Sequence, residues 1–408
     1  MNNERNIIGI ATLIVALLLL LPSVNAEDKH GPGDGMPNLK YIAEFEDGIL
    51  YKAGDFNVVE LHGNYHQMGR QYGKLLKEDL AKLYDEAVGK SLIKREGLTF
   101  EKMIVHARSV FETYPQRFKA ILHGMSETSE IEVDKLILLD QIVPSHSTED
   151  SHISSFIAAW GEYTSGKPLI VGRNWGLTRS FSDYALYLTV AIYNPDDASI
   201  PAASIGYVGQ VSTFTGINEA GLMIAMNEGI ISGGRISFQN RISSPVLTMA
   251  FLFDSFTTKQ LDAAVNTARS SIPFIVNVAD RNGACSYEWP TFGIRKRDGD
   301  ARGLLVATNH FVDPSWGMVE QRRAAAGQSA LRWNNLRSLA ANFKGSFEPS
   351  VMMTVMDTPV EKGGADGDGK TGTTAYQVIA VPEQLKIWLK APAFQDWTEI
   401  DLSLLFRN

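Results

Sequence analysis

Ser154 is the side chain in this sequence best placed to do covalent chemistry. It stands in His152-Ile153-Ser154-Ser155-Phe156, where the polar run Pro144 to Ser151 ends and a strand-like apolar stretch begins. Serine at such a junction commonly caps a turn. It has a second use. If the chain is cut before it, the new α-amine lies beside the hydroxyl and serves as its base, so no distant histidine is needed. Gly172-Arg173-Asn174-Trp175-Gly176 closes the next strand and returns beside the first. A guanidinium there can fix a nucleophile or stabilise its ionised form, or it can be an ordinary strand-end arginine. Asn227 closes the apolar run from Leu222, and Asn309 closes the one from Leu304. An amide at a strand end either turns the chain or points N–H groups at a developing oxyanion, worth about 3 kcal/mol in a transition state.

Other residues offer less. His62 and His66 have the i, i+4 spacing of zinc ligands, but His62-Gly63 precedes the helix and no carboxylate follows at ligand spacing, so no metal site is expected. Asp366-Gly367-Asp368-Gly369 has calcium-loop residue types without the rest of the EF-hand pattern, and reads as a solvated loop. Neither a Gly-Xaa-Ser-Xaa-Gly elbow nor a Walker loop is present.

The elements that must position these residues follow from periodicity. From Val58 the pattern turns helical: Met68, Tyr72, Leu75, Leu76, Leu80 and Leu83 recur at spacings of three and four. Further helices are expected over Phe100 to Met125, Glu130 to Val143 and Gln321 to Asn342. Ser155 to Tyr163 and Leu169 to Arg173 read as a hairpin around Ser165-Gly166, and Phe274 to Val278 pairs with Cys285 to Trp289 around Asn282-Gly283. Ser204 to Tyr207, Val211 to Ile217, Leu222 to Asn227, Leu304 to Thr308, Tyr376 to Val381 and Leu385 to Leu389 add strands, and Gly363 to Gly372 reads as a loop. No internal repeat is found.

Composition bounds the class. The 408 residues are 44% hydrophobic, enough to bury a large core and to exclude disorder. Against 38 basic residues stand 46 acidic ones, a net charge of -8 that disfavours a dedicated nucleic-acid binder. The single cysteine, Cys285, allows neither an internal disulfide nor a multi-cysteine metal site. Ile7 to Leu21 is an uncharged run, followed by Pro22 and the small-residue signature Val24-Asn25-Ala26. It reads as a secretory signal peptide cleaved after Ala26, the alternative being an uncleaved anchor. The mature protein is then expected to be secreted or periplasmic, with no stable membrane span. The expected division is a signal peptide over 1–26, a leader and first strands over 27–57, and one domain over 58–408, helical up to 153 and a sandwich from 154.

Together the segments resemble the N-terminal-nucleophile hydrolases of linear amides, most nearly the penicillin acyltransferase-type family, with choloylglycine hydrolases and acid ceramidase as relatives. The resemblance runs from about Val58 to the C-terminus. It rests on Leu61-His62-Gly63 through Met68-Gly69-Arg70-Gln71-Tyr72-Gly73; on Ser154, Trp160-Gly161 and Gly172-Arg173-Asn174-Trp175; on Asn218-Glu219-Ala220-Gly221-Leu222 through Asn227; on Ala307-Thr308-Asn309-His310-Phe311; and on Ser329-Ala330-Leu331-Arg332. It implies an α+β fold, the four-layer αββα sandwich, and autocatalytic scission that frees the nucleophile. It implies Arg173 beside the nucleophile, Asn227 in the oxyanion hole, Asn309 orienting substrate or nucleophile, and Arg332 supporting the site, with Arg337 a competing match. Asn218 falls in a structural turn. No cofactor is implied, and the substrate is a small N-acylated amide.

Two departures stand out. The family nucleophile is cysteine, and Cys285 matches no nucleophile motif. In one register Ser154 takes its place; one residue earlier, Ile153 does, and no nucleophile exists. The family aspartate that holds the nucleophile's amine is replaced by Gly176. The sequence therefore carries two expectations: an amide hydrolase or acyltransferase working through Ser154, or an inactive relative that binds an acylated ligand or a partner protein.

Overall fold

The computed structural model describes residues 37–95, 97–141, 153–177, 179–233, 237–316, 324–367 and 372–406. The expected signal peptide and the polar loop before His152 lie outside them. The described chain opens with three strands, β1 (Lys40–Phe45), β2 (Gly48–Ala53) and β3 (Phe56–Gly63). Five helices follow: α1 (Tyr65–Leu75), α2 (Lys77–Leu83), α3 (Phe100–Phe111), α4 (Gln116–Ser129) and α5 (Val133–Asp140). Then come β4 (Ser155–Ala159), β5 (Ile170–Leu177), the short α6 (Arg179–Asp183) and four strands, β6 (Leu188–Pro195), β7 (Ala202–Tyr207), β8 (Thr215–Asn218) and β9 (Met223–Glu228). Helices α7 (Ser244–Asp254) and α8 (Thr258–Thr267) lead to β10 (Phe274–Asp280), β11 (Gly283–Trp289), β12 (Arg295–Asp298) and β13 (Leu304–Ala307). Last are α9 (Ala324–Asn342), α10 (Pro349–Asp357), β14 (Thr373–Val381), β15 (Lys386–Ala391) and β16 (Gln395–Asp401).

Among the described residues the strands form a ten-stranded sheet, β1-β2-β3-β6-β7-β8-β9-β10-β11-β12, and a six-stranded sheet, β13-β4-β5-β14-β15-β16. Neighbours are antiparallel except β3 and β6, which run parallel with Val58 opposite Val190. The six-stranded sheet shows why the layers stack. Phe156 and Ala158 of β4 join the core between the sheets, whereas Ile157 and Ala159 join a second core with Leu336, Met352 and Met356 of α9 and α10. Period-two alternation therefore feeds apolar surface to both sides of the sheet. On its inner face Trp175 stacks on Tyr376, ring centroids 4.9 Å apart, and meets Tyr207 of the ten-stranded sheet at 5.9 Å. On the far side of the larger sheet α1 packs on β3, α7 on β7 to β9, and α8 on β10. The fold is α+β, layered helix, sheet, sheet, helix.

Local chemistry starts and stops the helices. Asn64 caps α1, accepting from the N–H groups of His66 and Gln67, while the Gln67 side chain accepts from Asn64 N. Within α1, Gly69 and Gly73 have a packing reason. A Cβ at Gly69 would lie 2.1 Å from Ile121 O, and one at Gly73 2.3 Å from Met125 O, so glycine lets α1 and α4 touch backbone to backbone. The Met68 to Gly73 signature is thus a helix-crossing device.

Several sequence expectations change. Val58 lies inside β3, and helix begins only at Tyr65. Phe56, Val58, Val59 and Leu61 are buried on both faces of the strand, which removes the alternation that marks a half-exposed strand. The boundary drawn at Val58 therefore cuts through a strand of the larger sheet. The helix expected over Phe100 to Met125 is two, because Pro115 cannot continue α3 and instead starts α4. No described helix is long and apolar enough to cross a membrane.

Candidate active site

The site gathers where β4 begins. Ser155 lies opposite Asn174 and Phe156 opposite Arg173, so continuing the register sets Ser154 against Trp175 and Ile153 against Gly176. Alternation turns Val171, Arg173 and Trp175 toward the other sheet, and Gly172, Asn174 and Gly176 toward α10. Asn174 Nδ2 accordingly donates to Met356 O at 3.0 Å.

Arg173 is fully buried between the sheets. Its Nη1 donates to Asn227 Oδ1 at 3.2 Å and its Nη2 to Met226 O at 2.5 Å. Both acceptors are neutral, and Nε has no hydrogen-bond partner among the described residues. Burial pulls the guanidinium down to about 10, against the opposing pull of Tyr376, so it is still a cation at neutral pH. Asn227 in turn donates Nδ2 to Ala307 O at 3.3 Å and Thr308 O at 3.0 Å. Both amide hydrogens are therefore engaged in this arrangement, and donation to an oxyanion would replace one of those bonds.

Arg332 reaches the same region from α9. Nη1 donates to Ser154 O at 2.6 Å and Nη2 to Asn309 Oδ1 at 3.0 Å. Asn309 donates Nδ2 to Glu228 O at 2.8 Å, and its backbone N–H to Ser329 Oγ at 2.8 Å. Burial alone pulls Arg332 down to about 10. The five residues singled out in the sequence thus fall into two linked sets, Arg173 with Asn227 and Arg332 with Asn309 and Ser154. The strand ends β9 and β13 bring them together, since Asn227 donates to the carbonyls that lead into Asn309. Arg337, the competing match, lies with its guanidinium 4.5 Å over the Trp333 ring, apart from these contacts.

Three further groups join them. Ser329 Oγ, Thr308 Oγ1 and His310 Nδ1 lie within 3.2 Å of one another. Burial first, then Arg332 and Arg297, push His310 down to about 4, so its ring is neutral at pH 7. The segments Ala307 to Phe311 and Ser329 to Arg332 contain all three, so the signal lay beside the residues chosen. Glu288 is also buried, and accepts from Val312 N at 2.7 Å and Trp316 Nε1 at 2.7 Å, pinning the segment that follows Asn309.

The two departures meet in space. A Cβ on Gly176 would lie 2.3 Å from Ile153 Cγ1 and 2.7 Å from Ile153 Cδ1. The side chain of Ile153 fills the room that a residue-176 side chain needs. It is Ile153, not Ser154, that stands across from Gly176. Both residues of the Ile153–Ser154 linkage are buried, at 4% and 5% exposure.

The remaining candidates separate. His62 pairs with Glu60 at 2.9 Å and His66 with Glu127 at 2.9 Å, so each ring has its own carboxylate rather than a shared centre. Cys285 is buried on β11, and burial pushes its thiol up to about 11, which leaves it protonated and unreactive at neutral pH. Asp366 is half-buried, and desolvation raises its carboxyl. Residues 368–371 of its glycine-rich loop lie outside the described residues.

No protein-family profile matches the chain. Protein dcd1B of Dictyostelium discoideum is 26% identical over 187 residues, a match covering 38% of this chain and 35% of that protein. The chain therefore spans about a third of that relative's length. Among solved structures, a conjugated bile acid hydrolase variant from Clostridium perfringens is 13% identical with a TM-score of 0.45, covering 62% of this chain and 94% of its own. Penicillin V acylase from Agrobacterium tumefaciens is 12% identical with a TM-score of 0.44, covering 62% and 88%. The N-acylethanolamine-hydrolyzing acid amidase ortholog of Caenorhabditis elegans is 15% identical with a TM-score of 0.40, covering 56% and 92%.

Proposed function

We propose that the chain is an exported hydrolase or acyltransferase acting on the linear amide bond of a small N-acylated substrate, with Ser154 as nucleophile. The observation that carries this reading is the bridge made by Arg332, which binds both the Ser154 carbonyl and Asn309. It ties the residue that would be freed to the amide side chain that would orient it. Arg173 supplies a second buried cation on the inner face, suited to a developing negative charge.

The chemistry balances without a cofactor. In scission, Ser154 Oγ bonds to the Ile153 carbonyl carbon, the C–N bond breaks, and the hydroxyl proton ends on the departing nitrogen. Water then hydrolyses the ester, leaving an Ile153 carboxylate and a free Ser154 α-amine. In turnover the same Oγ attacks the substrate carbonyl with that amine as base. An amine leaves, and water or another amine takes the acyl group.

A second reading has its own support. Ile153, rather than Ser154, faces Gly176. On that register the nucleophile position holds an alkyl group, and the site binds an acylated ligand or a partner protein without cleaving it.

N-terminal sequencing and intact mass of the purified protein decide between them, with Ser154→Ala alongside. The hydrolase reading expects two chains, the second starting at Ser154, and an unsplit variant. A wild-type protein that remains one chain removes that reading in favour of the second. The proposal of export, from the run Ile7 to Leu21, is tested by the same sequencing: a mature chain beginning at Glu27 supports it, and a retained Met1 opposes it.

A further inference from the structure

The Ile153 side chain is seated among three glycines, Gly176 at the end of β5 and Gly367 and Gly372 ahead of β14. A Cβ at Gly176 would lie 2.3 Å from Ile153 Cγ1, one at Gly367 2.4 Å from Cδ1, and one at Gly372 2.9 Å from Cγ2. Thr373 O, 2.9 Å from the Gly176 Cβ position, adds backbone to the wall. A side chain at any of the three positions would collide with the branched alkyl group. We infer that this socket is the acyl subsite of the enzyme, that Ile153 occupies it in the intact chain, and that it selects acyl groups ending in a short, branched aliphatic unit.

As an acyl subsite the socket rests on the proposed hydrolase chemistry and on one chemical identity. Scission and turnover pass through the same ester at Ser154 Oγ, and only the acyl group differs. In scission that acyl group belongs to Ile153. The side chain of an acylating substrate must therefore occupy the place of the isoleucine side chain once the Ile153 chain end withdraws. A socket walled by glycine and peptide carbonyl offers contact to a branched group of about four carbons and would clash with an aromatic ring, whose buried area is far larger.

The test separates the socket from the hydrolase reading by emptying it without scission. Ile153→Ala is combined with Ser154→Ala to keep the chain whole, and thermal unfolding is followed with dissolved propane, methane or benzene. The truncated protein should melt roughly 3–6 °C lower than the Ser154→Ala parent, as expected for a core cavity. Only propane, which matches the three carbons removed, should recover a measurable part of that loss, and it should not shift the parent. If the alanine variant does not fold, Ile153→Val leaves a one-carbon void that methane alone should fill. Absence of rescue, or equal rescue by all three probes, overturns the socket. In split wild-type protein, 3-methylpentanoyl p-nitroanilide should exceed the acetyl compound in kcat/KM by roughly 10-fold or more. Rescue in a protein whose wild type never splits would retain the socket and sink the hydrolase. Splitting without rescue would do the reverse.

Discussion

The two faces of the β4–β5 pair handle burial in opposite ways. The inner face carries Arg173, a cation sealed between two sheets and held by neutral oxygens. The outer face carries Gly176 and, across from it, the alkyl side chain of Ile153. Desolvating a charge costs much more than burying an alkyl group, so the inner face is kept at the expense of stability while the outer face adds to it. The polar half of the site keeps the groups that chemistry would use. At Gly176 the outer face holds the alkyl group of Ile153 and no side chain of its own.

Substitutions at Arg173 challenge that contrast most strongly. Arg173→Ala strands two buried acceptors and leaves a cavity, and should cost about 3–5 kcal/mol in urea unfolding. Arg173→Met keeps the volume without the buried cation, and should cost less than half as much. Equal losses would mean that packing, not charge, holds the inner face.

His310 reports on the cation beside it. Its folded value of about 4 lies below its ordinary 6.5. The folded state therefore prefers the neutral ring. Its contribution is complete above about pH 6.5 and is lost as pH falls toward 4, in total on the order of 3 kcal/mol. His310→Gln should flatten unfolding free energy across that window. NMR titration of the ring in Arg332→Met should show its pKa rising; an unchanged value would remove Arg332 as a cause.

On the outer face, Gly176→Ala should cost about 1–3 kcal/mol through overpacking against Ile153. Adding Ile153→Val should recover part of that loss, and strictly additive losses would separate the two residues. The smallest effect is expected at Ser154. Ser154→Ala should change stability by no more than about 0.5 kcal/mol, because the contact to Arg332 uses the backbone carbonyl rather than the hydroxyl. A larger loss would show that the hydroxyl supports the fold.

Much of this arrangement was legible locally. Ser165 and Gly166 do turn the chain between β4 and β5, with positive φ values of 52° and 77°. Asn227 lies one residue before the end of β9 and Asn309 two residues beyond β13, and both are buried. What escaped the sequence was non-local. β3 pairs with β6 across the whole helical segment, and no periodicity in either strand reveals the partner. The socket requires Gly176, Gly367 and Gly372 together, and a glycine far along the chain carries no mark of what approaches it. Thr308, His310 and Ser329 were quoted within motifs, but their mutual contact appears only when β13 and α9 meet.

The parallel pairing of β3 with β6 also fixes what a cut at residue 153 would do. The strands before the cut are woven into the same sheet as those after it, with the register running from Asn57 opposite Thr189 to Gly63 opposite Pro195. A nick there would divide the polypeptide but not the particle. The pieces would migrate together in gel filtration and come apart only in denaturant. Neither piece alone would own a complete larger sheet, so each made separately should be insoluble, while the two co-expressed should reassemble as halves of one molecule.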